Sequence, residues 1–130
     1  MVMRHFFFLL TAAVFIVSLA VPNLAAGETK TVSGELIEMA CYARMGLNAT
    51  GADHAACALR CAEGGSPLGI LTADDEIYTI TGEMTENENA KLLEFVAKNV
   101  TATGDVNDGG GPGTRLVGKV TLEVTAIEVQ

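Results

Sequence analysis

Thr29-Lys30-Thr31-Val32-Ser33-Gly34-Glu35-Leu36-Ile37-Glu38-Met39-Ala40 is the stretch on which the fold turns. Its β-branched and apolar residues alternate roughly with polar ones, the period-2 pattern of a half-buried strand. Gly34 interrupts that pattern and marks a bulge or a sharp bend. Cys41 is then expected at the strand's end. Beyond it, Gly46, Asn48 and Gly51 give a loop, and Asp53 is placed to cap a short Ala-rich helix over 54–63. Gly64-Gly65-Ser66-Pro67 stops that helix. Leu68–Leu71 and Ile77–Ile80 follow as two short strands around the acidic turn 73–76.

Further along, a helix is expected from Glu86 to Lys98. Thr85 and Glu88 have capping-box spacing, Leu92, Leu93, Val96 and Val100 fall on one face, and Lys98 suits the negative end of the dipole. Val100–Val106 reads as a strand and Asn107–Gly113 as a hairpin tip. In the last strand, Leu116–Val129, the alternation through Val120, Leu122 and Val124 shifts phase before Ile127, which predicts a bulge near Thr125-Ala126. No internal repeat or domain linker is evident. The order resembles the OB-fold, a five-stranded Greek-key β-barrel. The resemblance implies a mainly β domain with one helix between strands 3 and 4. A short Cys-bearing helical insertion after strand 1 is this chain's departure from that plan. Such barrels host many functions, so the fold alone names none.

Residues 1–26 read as a cleavable signal peptide. Arg4 precedes an apolar run from Phe6 to Val21, and Leu24-Ala25-Ala26-Gly27 offers small residues for cleavage. The expectation is a periplasmic or secreted protein with no stable membrane anchor after cleavage, and with 27–130 as a single OB-like domain. Without Arg4, 7 basic residues face 16 acidic ones, a net charge near −9. Such a surface repels phosphate backbones and anionic membranes, so nucleic acid is excluded as a partner. There is no Trp to build a stacking platform.

The segment 41–69 holds Cys41, Cys57 and Cys61, the chain's 3 cysteines, and His54, the sole histidine after the signal. On a helix, His54, Cys57 and Cys61 stand at i, i+3 and i+7 and share one face, which Cys41 could complete from the other side. Three thiols and one imidazole form a four-ligand set for Zn, and thiolates also suit Cu(I). Met39 and Met45 could add a thioether. A closed four-ligand site argues against catalysis, whereas three ligands would leave an open position. A disulfide from Cys41 to Cys57 or Cys61 is the competing reading, with the barrel acting as an interaction domain for a peptide or glycan. Thiol redox chemistry is a third. The partners expected are a metal ion and, in the second reading, another exported protein. The run 41–69 also resembles the cysteine segment of small exported bacterial proteins of uncharacterised type, a likeness that implies no activity.

Other chemistries fit less well. Cys57-Ala58-Leu59-Arg60-Cys61 lacks the spacing and following His of a covalent haem site, and it is not Cys-x-x-Cys. With no second His after the signal, a His-based triad or a His-rich metal centre is excluded. The acidic turns lack EF-hand spacing, and the glycines of 109–113 lack a phosphate loop's Lys-Ser/Thr.

Overall fold

The computed structural model describes residues 27–108 and 120–130. Five strands are present: β1 (Glu28–Glu38), β2 (Leu68–Leu71), β3 (Ile77–Thr81), β4 (Asn99–Asp108) and β5 (Val120–Val129). They close into a barrel in the order β1-β2-β3-β5-β4. β5 runs antiparallel to β4 and parallel to β3, so it is the stave that joins the two halves. The mainly β, OB-fold-like barrel expected from the sequence is therefore observed. The expected signal peptide, the part of the expected hairpin tip from 109 on and the first residues of the expected last strand lie outside the described residues.

β1 serves two neighbours. Glu28 to Glu35 pair with β4, and Glu35 to Glu38 pair with β2. Gly34 sits at the changeover, where a Cβ would collide with the Leu71 carbonyl. The glycine thus allows the close approach that a sharply curved strand requires. The expected bulge is also present: Thr103 pairs with Ala126 and Gly104 with Val124, leaving Thr125 as the extra residue. Its hydroxyl donates to the Thr103 carbonyl at 3.1 Å.

The core gathers Val32, Leu36, Leu68, Ile70, Ile80, Val100, Ala102, Leu122 and Val124 from the strands. Leu92 and Val96, from the β3–β4 connection, and Ala58 and Ala62, from the insertion, pack onto the same cluster. At the end of β1, Leu36, Ile37 and Glu38 are all buried. Successive strand residues face opposite ways, so both faces are covered there, and the insertion grows from that doubly covered end.

β4 runs on through Asp108, so Asn107 and Asp108, expected in the hairpin tip, belong to the strand, and two larger departures from the sequence reading bear on the site. β1 stops at Glu38, and Met39–Met45 form a helix (α1), so Cys41 lies in a helical turn rather than at a strand's end. The expected continuous helix over 86–98 is replaced by a short turn, Glu86–Asn89, and a 3-10 turn, Leu93–Phe95. Within the first, Asn87 and Glu88 hold left-handed φ values of 52° and 53°. Thr85 makes no capping bond to the turn; its hydroxyl donates to the Gly82 carbonyl instead. Tertiary bonds account for the break. The Ala97 amide donates to the Leu36 carbonyl at 2.8 Å and the Leu36 amide to the Lys98 carbonyl at 3.0 Å, drawing the end of the segment into strand-like pairing with β1.

Candidate metal centre

The insertion is α1, a 3-10 turn at Gly46–Ala49, a second at Ala52–His54, and a helix Ala55–Glu63 (α2). Asp53 does not cap α2, which follows directly on the second 3-10 turn. Because that turn runs into α2, the i, i+3, i+7 relation of His54, Cys57 and Cys61 still places them along one side. Ala58 and Ala62 face the core, and Gly64 and Gly65 end the helix with amides bonded to the Cys61 and Ala62 carbonyls. Gly65 takes φ +84° there, the conformation that favours glycine after a helix.

Glu38 fixes the entry to α1. Its carboxylate accepts from the Ala40 amide at 2.8 Å and the Cys41 amide at 2.7 Å, satisfying two of the donors that a helix start leaves unpaired. The Ser66 hydroxyl donates to the same carboxylate, and the Met39 amide donates to the Pro67 carbonyl at 3.0 Å. Asn89, itself buried, gives its side-chain N–H groups to the Ala62 and Ser66 carbonyls at 3.0 and 2.9 Å. A chain of polar contacts thereby ties the β3–β4 connection to the end of α2 and then to the start of α1. On the other flank, the Gly51 amide donates to the Glu35 carboxylate of β1, anchoring the loop that delivers His54.

The thiols and the imidazole meet around Cys41. The donor atoms of Cys41, His54 and Cys57 all lie within 4.8 Å of one another. A second group of the same tightness joins Cys41 to Cys61 and Glu38. The four residues singled out from sequence therefore converge, but as two groups sharing Cys41 rather than as one closed set. A tetrahedral Zn site with ligands at about 2.0–2.3 Å places its donors about 3.3–3.8 Å apart, a separation inside that limit. Cys41 is buried, His54 and Cys61 are half-buried, and Cys57 is exposed, so the cluster runs from the interior to the surface. His54 Nε2 is shut off from solvent with no hydrogen-bond partner among the described residues.

The cysteines are free thiols, and no disulfide is formed among the described residues. The Met39 sulfur accepts the Thr79 hydroxyl at 3.4 Å and is thus engaged on the barrel wall, while Met45 is exposed.

Electrostatics separate Glu38 from Cys41. Burial raises the Glu38 pKa, but hydrogen bonds from the Cys41 thiol, Ser66 and the Cys41 and Ala40 amides outweigh it, and the net shift is downward. That carboxylate in turn holds the proton on Cys41. Its hydrogen bond, reinforced by burial, pushes the thiol up to about 12 against a partial offset from the Arg44 guanidinium 3.9 Å away. A bound cation reverses such a balance, because a coordinating thiol is deprotonated outright.

Glu38 is the one member the sequence reading missed. Its signal was present, as an acidic residue where a strand gives way to a helix, but the expected strand ran past it. No protein family, curated protein or solved structure matches the chain.

Proposed function

We propose that the protein is an exported metal-binding domain that holds one soft transition-metal ion, Zn or Cu(I), at Cys41, His54 and Cys57, with Cys61 as the fourth ligand. The observation that carries this is the His54 ring nitrogen, buried without a partner beside a cluster of free thiols. A buried polar atom without a hydrogen bond costs roughly 1–3 kcal/mol, and coordination removes that cost. Thiolate and imidazole donors favour Zn or Cu(I) over Mg or Ca. Cys57 gives the ion a route to solvent. With Cys61 engaged the site closes and is structural; with Cys61 withdrawn it keeps an exchangeable position suited to passing a metal on.

Elemental analysis of protein purified from its native compartment without chelators tests the reading. Close to one equivalent of Zn or Cu is expected, falling below a tenth of that in Cys57→Ser and in His54→Ala. Purified wild-type protein that is metal-free and takes up neither ion on addition would overturn it.

A further inference from the structure

Cys41 occupies an unusual place among the three thiols. Its sulfur lies within 4.8 Å of Cys57 Sγ in one group and within 4.8 Å of Cys61 Sγ in the other, while Cys57 and Cys61 share neither group. A disulfide bond is about 2.05 Å long, so either pairing requires the two sulfurs to move closer together. The third pairing is disfavoured. Cys57 and Cys61 are four apart on α2, where side chains point in nearly the same direction. Accessibility adds an order of events: Cys57 is exposed, and Cys41 is only 2 % exposed.

We propose that Cys57 is the entry thiol, and Cys41 the resolving thiol, of a disulfide exchange driven by an external disulfide, and that this exchange dismantles the metal site. The exchange stands on the thiol geometry alone; its effect on the ion rests on the metal-binding reading. The Cys57 thiolate attacks one sulfur of a disulfide RS–SR. The S–S bond breaks, one RS⁻ leaves and takes a proton from solvent, and a Cys57–S–S–R bond forms. Cys41 then attacks Cys57 Sγ, its proton passing across its hydrogen bond to the Glu38 carboxylate and on to solvent, and expels the second RS⁻, which is protonated in turn. The external disulfide is reduced by two electrons to two RSH, the Cys41–Cys57 pair is oxidised by two, and Cys61 remains a thiol. Attack of the Cys61 thiolate on Cys41 Sγ would move the bond to Cys41–Cys61 and free Cys57 with no further oxidant. In either product His54 is left with a single thiolate, too few donors to retain the ion.

Arg44 and Arg60 separate the three cysteines into three tryptic peptides, so the exchange can be followed by peptide mapping. Reduced, metal-free protein is mixed with oxidised glutathione, quenched at intervals by alkylation and digested. Glutathione is expected first on Cys57, then lost as a Cys41–Cys57 or Cys41–Cys61 cross-link appears with one alkylated cysteine. In Cys41→Ser the Cys57 adduct should persist at least tenfold longer; should that variant not fold, the wild-type map decides. A first adduct on Cys61, a Cys57–Cys61 cross-link, or a lasting Cys57 adduct in the wild type would overturn the proposal. Exchange in a protein that takes up no metal would sink the metal reading alone, and metal uptake without exchange would sink only this one.

Discussion

Glu38 concentrates more of the site's chemistry than any cysteine does. Its carboxylate caps α1, receives Ser66 and holds the Cys41 proton. Replacement by Gln leaves one acceptor oxygen and no charge, and should cost about 1–2 kcal/mol in urea unfolding at neutral pH. The pH dependence has two arms. Because the folded Glu38 pKa is depressed, its contribution is present above the ordinary value of 4.5 and is lost as pH falls through the lower folded value. Cys41 behaves oppositely: its raised pKa contributes below 9.0, and that contribution is lost as pH climbs towards about 12. Glu38→Gln should therefore flatten the acid loss of stability and bring Cys41 titration, followed by thiolate absorbance in the metal-free protein, down towards the ordinary thiol range. An unchanged Cys41 titration would show that the carboxylate does not hold that proton. As a residue that positions a ligand, Glu38 should also affect metal affinity, with a loss of about 10- to 100-fold on replacement.

At the scale of elements, the segment between β3 and β4 separates what the sequence discloses from what it does not. Leu92, Val96 and Val100 are buried as their spacing implied, although the helix that would have explained the spacing does not form. Apolar periodicity reports which residues face the core. The backbone is decided by partners remote in sequence, here Leu36 for Ala97 and Lys98, and Ala62 and Ser66 for Asn89. The short strands β2 and β3 and the Thr125 bulge were legible because turn residues and phase shifts are local signals. The clustering of the thiols was legible only in part, since the spacing on and just before α2 brings His54 to Cys57 but leaves Cys61 in the other group. Where Cys41 would enter depended on the strand-to-helix change at Glu38. Two substitutions test this account by thermal or urea unfolding. Leu92→Ala should cost about 2–5 kcal/mol, with half-buried Leu93→Ala well below it. Asn89→Ala should cost about 1–3 kcal/mol by leaving the Ser66 carbonyl short of a donor.

For the molecule as a whole, the proposed metal centre would tie together two pieces of chain that are each anchored separately on the barrel, α1 through Glu38 and α2 through Ala58, Ala62 and the Gly51–Glu35 bond. α1 brings Cys41, and the 3-10 turn running into α2 brings His54 and Cys57. An ion bound there favours the folded state by mass action, about 2.7 kcal/mol at a free concentration one hundred times the Kd. Calorimetry should show the melting temperature rising on addition of Zn or Cu(I) to the reduced protein and returning on chelation, with no response in Cys57→Ser. A melting temperature indifferent to both ions would mean that the cluster does not couple to the fold.

The position of β5 carries a different consequence. As the stave between β3 and β4, it covers the hydrogen-bonding edge of both. A chain lacking 120–130 would not be a smaller barrel but an opened one, with two bare strand edges free to recruit other chains. Size-exclusion chromatography of such a truncation should find aggregates in place of a monomer. The same exposure faces every copy until it folds, because β3 and β4 both precede in the chain the strand that silences their edges.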